Sequence, residues 1–174
     1  MNNETPTGET LLASTRQEYE YQDYVDCYEA NGLKPKGEDS HDFSRWCHEQ
    51  AISDYNETVE NLKANPKLDR PFFISGTIRR WNGSFGVTIV MDSFTEAYDK
   101  CIGGDTLDVD LSRDKQSLLL DVHHHDATNR FRLWPLRDDI DTDELQDLID
   151  DRRFDPLDAD IRERYIAPLD LTEE

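Results

Sequence analysis

The spacing of apolar residues changes character near residue 70. Upstream, Tyr21, Tyr24, Val25 and Tyr28 fall at i, i+3, i+4 and i+7. Phe43, Trp46, Cys47, Ala51, Tyr55, Val59 and Leu62 keep a helical stripe for about five turns. The pattern predicts a helix over 11–30 stopped by Asn31-Gly32, then a second helix capped by Asp39 or Ser40 and ended by Asn65-Pro66. Downstream, residues 72–80 and 85–91 read as strands around Trp81-Asn82-Gly83-Ser84, whose Asn-Gly pair suits a hairpin turn.

A short helix over 93–102 follows, with Phe94, Ala97, Tyr98 and Cys101 on one face and Gly103-Gly104 as its stop. Strands over 106–111 and 117–122 flank a turn at 112–115, and a fifth strand covers 130–133. Leu107, Val109 and Leu111 alternate with Asp108 and Asp110, the pattern of a sheet with one wet face and one dry face beneath helices. Trp134-Pro135 breaks the last strand. Asp141 or Thr142 then caps an acidic helix with an apolar stripe of Leu145, Leu148 and Ile149, and a short helix around 161–165 lies between Pro156 and Pro168.

The expected class is α+β: two N-terminal helices, a five-strand antiparallel sheet in the order β-β-α-β-β-β, and an acidic helical tail. Residues 1–70 form a helical segment on the sheet, 71–137 the sheet core, and 138–174 the tail, all within one cooperative domain.

Charge sharpens this division. The 174 residues carry net −20; residues 1–70 hold 15 acidic side chains against 7 basic, 71–137 hold 9 against 8, and 138–174 hold 15 against 4. A nearly neutral scaffold between acidic flanks attracts basic partners and repels nucleic acid and anionic membrane. Arg79-Arg80-Trp81 with Arg130, Arg132 and Arg137 is the one candidate basic patch, and the overall charge opposes its use on nucleic acid. Three cysteines without CxxC spacing indicate neither a disulfide framework nor a thiolate metal site, and with no secretion signal or span-length apolar run a cytoplasmic location is expected.

Candidate chemistry concentrates in two places. In an extended strand Asp121, His123 and His125 project to one side, so His123 and His125 with Asp121 or Asp126 can meet a divalent metal such as zinc; the competing reading is a tight turn whose histidines bond locally. No cofactor is required under the second reading. The other place is the carboxylates themselves: Asp139, Asp143, Glu144, Asp147, Asp150 and Asp151 on the tail, with Glu18, Asp23 and Asp26 beside the tyrosine stripe as a second surface. Their density approaches the one charge per roughly 1.7 Å of duplex DNA. His41 and His48 lie two turns apart, about 10 Å, too far for one ion.

Phe73-Ile74-Ser75-Gly76-Thr77, Ala97-Tyr98-Asp99-Lys100-Cys101 and the string from His123 to Phe131 resemble a group of uncharacterised small acidic proteins of phages and mobile elements of gut bacteria. The resemblance covers residues 72–134, and Ala127 stands where that group usually has Gly. It implies no catalytic residue. It implies an anti-defence setting, of anti-CRISPR or anti-restriction type. The leading expectation is a non-enzymatic inhibitor that uses acidic helices to compete with nucleic acid for the groove of a basic host nuclease or its complex. Its rivals are a small metal-binding module or metal-dependent hydrolase at His123–Asp126, and a general interaction domain whose acidity serves solubility.

Overall fold

The computed structural model describes residues 10–15, 18–80, 82–101, 106–123, 127–169 and 171. The elements are β1 (Thr10–Ser14), α1 (Tyr21–Ala30), α2 (His41–Ala64), a 3-10 turn (Pro66–Leu68), β2 (Phe72–Arg80), β3 (Gly83–Met91), α3 (Phe94–Cys101), β4 (Thr106–Leu111), β5 (Leu118–His123), β6 (Thr128–Pro135), α4 (Thr142–Asp150) and α5 (Ala159–Tyr165). All strands join one antiparallel sheet in the order β1-β4-β5-β6-β2-β3.

The class is α+β, but the sheet has six strands where five were expected. The extra one comes from residues 10–14, of which the sequence pattern placed 11–14 inside the first helix. Thr10 faces Leu111 and Ser14 faces Asp108 on β4, with a bulge between Leu11 and Ala13. Leu12 and Ala13 thereby both reach the core, so the segment buries more apolar surface as an edge strand than a frayed helix start could. The helix begins only at Tyr21, after extended Glu20.

Helices cover both faces of the sheet, where one dry face was expected. Phe72, Ile74, Val109, Leu111, Leu118, Leu120, Val122, Phe131 and Leu133 point to one side and pack with Tyr55, Val59 and Leu62 of α2 and with Phe94, Ala97 and Tyr98 of α3. Phe73 and Trp134, opposite each other on β2 and β6, point to the other side and meet Leu136, Leu145, Phe154, Tyr165 and Ile166. Each such fully buried side chain contributes about 1.5–3 kcal/mol. Leu119, 8% exposed between buried Leu118 and Leu120, shows why β5 reads as a continuous apolar run rather than an alternation.

The acidic tail is therefore part of the fold. Ile166 bridges to Leu136, Ala167 N donates to Pro135 O at 2.9 Å, and Leu169 N donates to Lys115 O at 2.9 Å. Leu169 then enters the first core.

α2 is divided in use. Its C-terminal half lies on the sheet, whereas Phe43 and Trp46 near its start hold α1 by ring packing. Tyr24 is fully buried against Tyr28, Phe43 and Trp46, and Tyr19 meets Trp46 edge-on. Ser40 caps α2 by accepting from Phe43 N at 3.2 Å.

Candidate interaction site

α4 owes its place to three side chains. Leu145 is fully buried against the Phe73–Trp134 face, and Leu148 and Ile149 pack beside it. Asp141 Oδ1 accepts from Asp143 N at 2.9 Å and from Glu144 N at 3.2 Å, which satisfies two of the four orphan amides of the first turn. With the apolar stripe anchored, Asp143, Glu144, Asp147 and Asp150 stand exposed, followed by Asp151 at the C-cap, and Asp139 is exposed on the approach.

These carboxylates differ in their local consequences. Asp143 and Glu144 sit in the first turn, where the helix dipole favours negative charge. Asp150 and Asp151 sit at the opposite end, where it is disfavoured by roughly 0.3–1 kcal/mol each, and the last turn holds no basic residue. Arg152, at φ 57, and Arg153 follow only after the helix has ended. Glu144 accepts from Arg164 at 3.3 Å and from the Tyr165 phenol at 3.2 Å, so it ties α4 to α5. Among the described residues, no lysine or arginine pairs with Asp143, Asp147 or Asp151.

The second expected surface has the same character. Glu18, Asp23 and Asp26 are exposed, and α1 too lacks a basic residue in its last turn. Asp26 accepts from Gln22 at 2.8 Å. Asp42 belongs to the interior side of the hairpin: its carboxylate takes the Tyr24 hydroxyl at 2.7 Å and pairs with Arg45. The Tyr24 bond, with Tyr28, Arg45 and Lys36 nearby, holds the Asp42 pKa below the usual carboxylate range against the effect of burial. Tyr19 donates to Asp54, and burial followed by that carboxylate pushes its pKa up to about 12.

The histidine string resolves differently. His123 Nε2 lies 2.9 Å from Asp108 Oδ2, and its Nδ1 lies 3.1 Å from Thr128 Oγ1, so both ring nitrogens are engaged. Asp108 Oδ1 accepts from Ser14 Oγ at 2.6 Å. Asp121 is held by Arg130, with bonds of 2.8 and 3.1 Å. Asp121 and His123 share a sheet face, as the strand period required, yet Asp121 is held by Arg130 of β6 while His123 lies between Asp108 of β4 and Thr128 of β6, so their contacts do not converge on a common centre. His125 and Asp126, the other expected ligands, lie outside the described residues, as do His124, Trp81 and Gly103-Gly104. No group of three or more His, Cys, Asp or Glu suited to a metal occurs among the described residues.

The candidate basic patch is likewise divided. Arg130 serves Asp121; Arg132 donates to Ser117 Oγ at 2.7 Å and stacks 4.4 Å from the Trp134 ring centre; Arg137 donates to Ile166 O at 3.5 Å. Arg162 also lies against Trp134, at 5.3 Å. The Arg132–Trp134 stack follows from their i, i+2 spacing on one face of β6, whereas Arg162 reaches the same ring from α5, 28 residues further on, which no local spacing shows.

No protein family, no curated protein and no solved structure matches the chain. No helix among the described residues is long and apolar enough to cross a membrane.

Proposed function

We propose that this chain is a non-enzymatic interaction protein whose carboxylate-bearing helices occupy the basic nucleic-acid groove of a partner. In the mobile-element setting implied by the resemblance, that partner is a host defence nuclease or a component of its complex. The observation that carries the reading is α4: an anchored helix with carboxylates outward at both ends, including Asp150 and Asp151 where they oppose the helix dipole. Solubility alone would be served equally by charges placed where they do not destabilise the helix. From Asp143 to Asp151 five carboxylates span about 12 Å of helix axis, a density within a factor of two of the duplex backbone. Competition is then electrostatic and steric, with long-range attraction setting the rate of encounter.

The test uses the full chain, immobilised, to capture basic nucleic-acid-binding proteins from a bacterial host lysate. Duplex DNA should displace what is captured. Combining Asp143→Asn, Asp147→Asn and Asp150→Asn should slow association of the captured protein by about tenfold or more and flatten its salt dependence. An unchanged association rate, or capture indifferent to DNA, overturns the reading.

A further inference from the structure

The two edges of the sheet are built in opposite ways. β1 is five residues long and bulged, features that blunt a strand edge. β3 is nine residues long and pairs without irregularity along its whole length with β2, from Phe72 opposite Met91 to Arg80 opposite Gly83. Residues 81–91 contain no charged side chain and no proline, in a chain with 58 Asp, Glu, Lys and Arg residues. Charge, proline and bulge, three usual protections of an exposed edge, are all missing from this strand. Phe85 and Ile89 are 48% and 42% exposed, and with Val87 they lie on the side of the sheet that carries the main core, opposite Ile78, Ile74 and Gly76.

We infer that β3 pairs with β3 of a second copy of this chain, antiparallel about a two-fold axis through Val87, to give a continuous twelve-strand sheet. Three observations select this occupant. The strand is uncharged in a molecule that carries −20, so two copies can meet along it with little local repulsion. Its ends carry opposite charge: Arg79 and Arg80 stand at the hairpin end, and Asp92 and Glu96 stand just beyond Met91. Antiparallel self-pairing brings the basic end of each copy beside the acidic end of the other, twice by symmetry.

The third observation is side-chain register. With Val87 on the axis, Phe85 faces Ile89 of the other copy, and Ser84 faces Val90. Apolar residues meet apolar residues on the core side, which extends the first core across the seam. Pairing β3 with the short bulged β1 would instead propagate without closure.

The interface is modest in area, so the dimer is expected to be reversible in the micromolar range. Because like charge opposes it, added salt should tighten it. Sedimentation velocity on the full chain should show a species of twice 20.3 kDa that grows with concentration and with salt. Ile89→Lys should raise the dissociation constant about tenfold, since two pairs change per dimer, and combining it with Phe85→Glu should restore association. Both sites are substantially exposed, and circular dichroism is the check that each variant is folded.

As a readout on the unsubstituted chain, amide exchange in β3 should slow as concentration rises while β1 stays unchanged. A monomer at all concentrations overturns the inference. So does a dimer unaffected by Ile89→Lys, or one that the double variant fails to restore.

Discussion

His123 lies 2.9 Å from the Asp108 carboxylate on the neighbouring strand, and that same carboxylate receives the Ser14 hydroxyl from β1. One side chain of β4 therefore fastens the edge strand to β5, two positions along from the Thr106–His123 pair. Asp108→Ala should destabilise the protein by about 1–3 kcal/mol, because two polar partners lose their acceptor. The loss should be concentrated in β1, read as faster amide exchange there and unchanged exchange in β2. Since both nitrogens of His123 are engaged, zinc or a chelator should leave the melting temperature unchanged; a rise with zinc would return the strand end to the metal reading.

Gly76 sits in β2 between β3 and β6, and a Cβ there would come within 2.6 Å of Phe131 Cδ1 and 2.7 Å of Arg130 O. The backbone oxygen cannot move without breaking the β2–β6 ladder. Gly76→Ala should therefore cost about 1–3 kcal/mol as overpacking, measured by urea unfolding. Phe131→Leu alongside it should recover only the part due to the ring.

The α1–α2 hairpin should loosen in acid before the sheet does. Asp42 has a folded-state pKa below the ordinary carboxylate value, chiefly through the Tyr24 hydroxyl. Its contribution is thus present above the unfolded pKa and is lost as pH falls through the folded one, from about pH 4 downward. Tyr and Trp fluorescence from the ring cluster should change in that range, and Asp42→Asn should remove the pH dependence of that early step.

Tyr55 and Tyr98 share a hydrogen bond of 2.7 Å within the core, and burial raises both phenol pKa values. A raised folded pKa gives stability that is full below the unfolded value near pH 10 and falls as pH climbs beyond it. Alkaline unfolding should begin there, followed by tyrosinate absorbance. Tyr55→Phe should shift its midpoint upward and lower neutral-pH stability by about 1 kcal/mol.

Much of the architecture was legible because it depends on local periodicity. Ser40 and Asn65 bound α2, Asn82-Gly83 mark the hairpin, and Asp141 caps α4, each through chemistry confined to a few residues. Leu11 and Leu12 were misplaced because two apolar residues ahead of a helical stripe carry no period of their own; their strand exists only through β4. The run Leu118-Leu119-Leu120 held the clue that both sheet faces are covered, since a half-wet strand would alternate.

For the candidate surfaces, exposure of the α4 carboxylates followed from its apolar stripe. The binding of His123 to Asp108 did not follow, because it depends on a register between strands separated by a turn. The uncharged stretch at 81–91 was visible in the sequence, but its place at the sheet edge was not.

Ile166 and Leu169 close over strands synthesised long before them. During synthesis, Phe73 and Trp134 must wait, uncovered, until α4 and α5 have left the ribosome, so a chain stalled near residue 140 would present a greasy sheet face to every chaperone and protease it met. Folding is therefore expected to complete after translation of the tail rather than alongside it, and premature stops in that region should yield rapidly degraded protein instead of a partly active fragment.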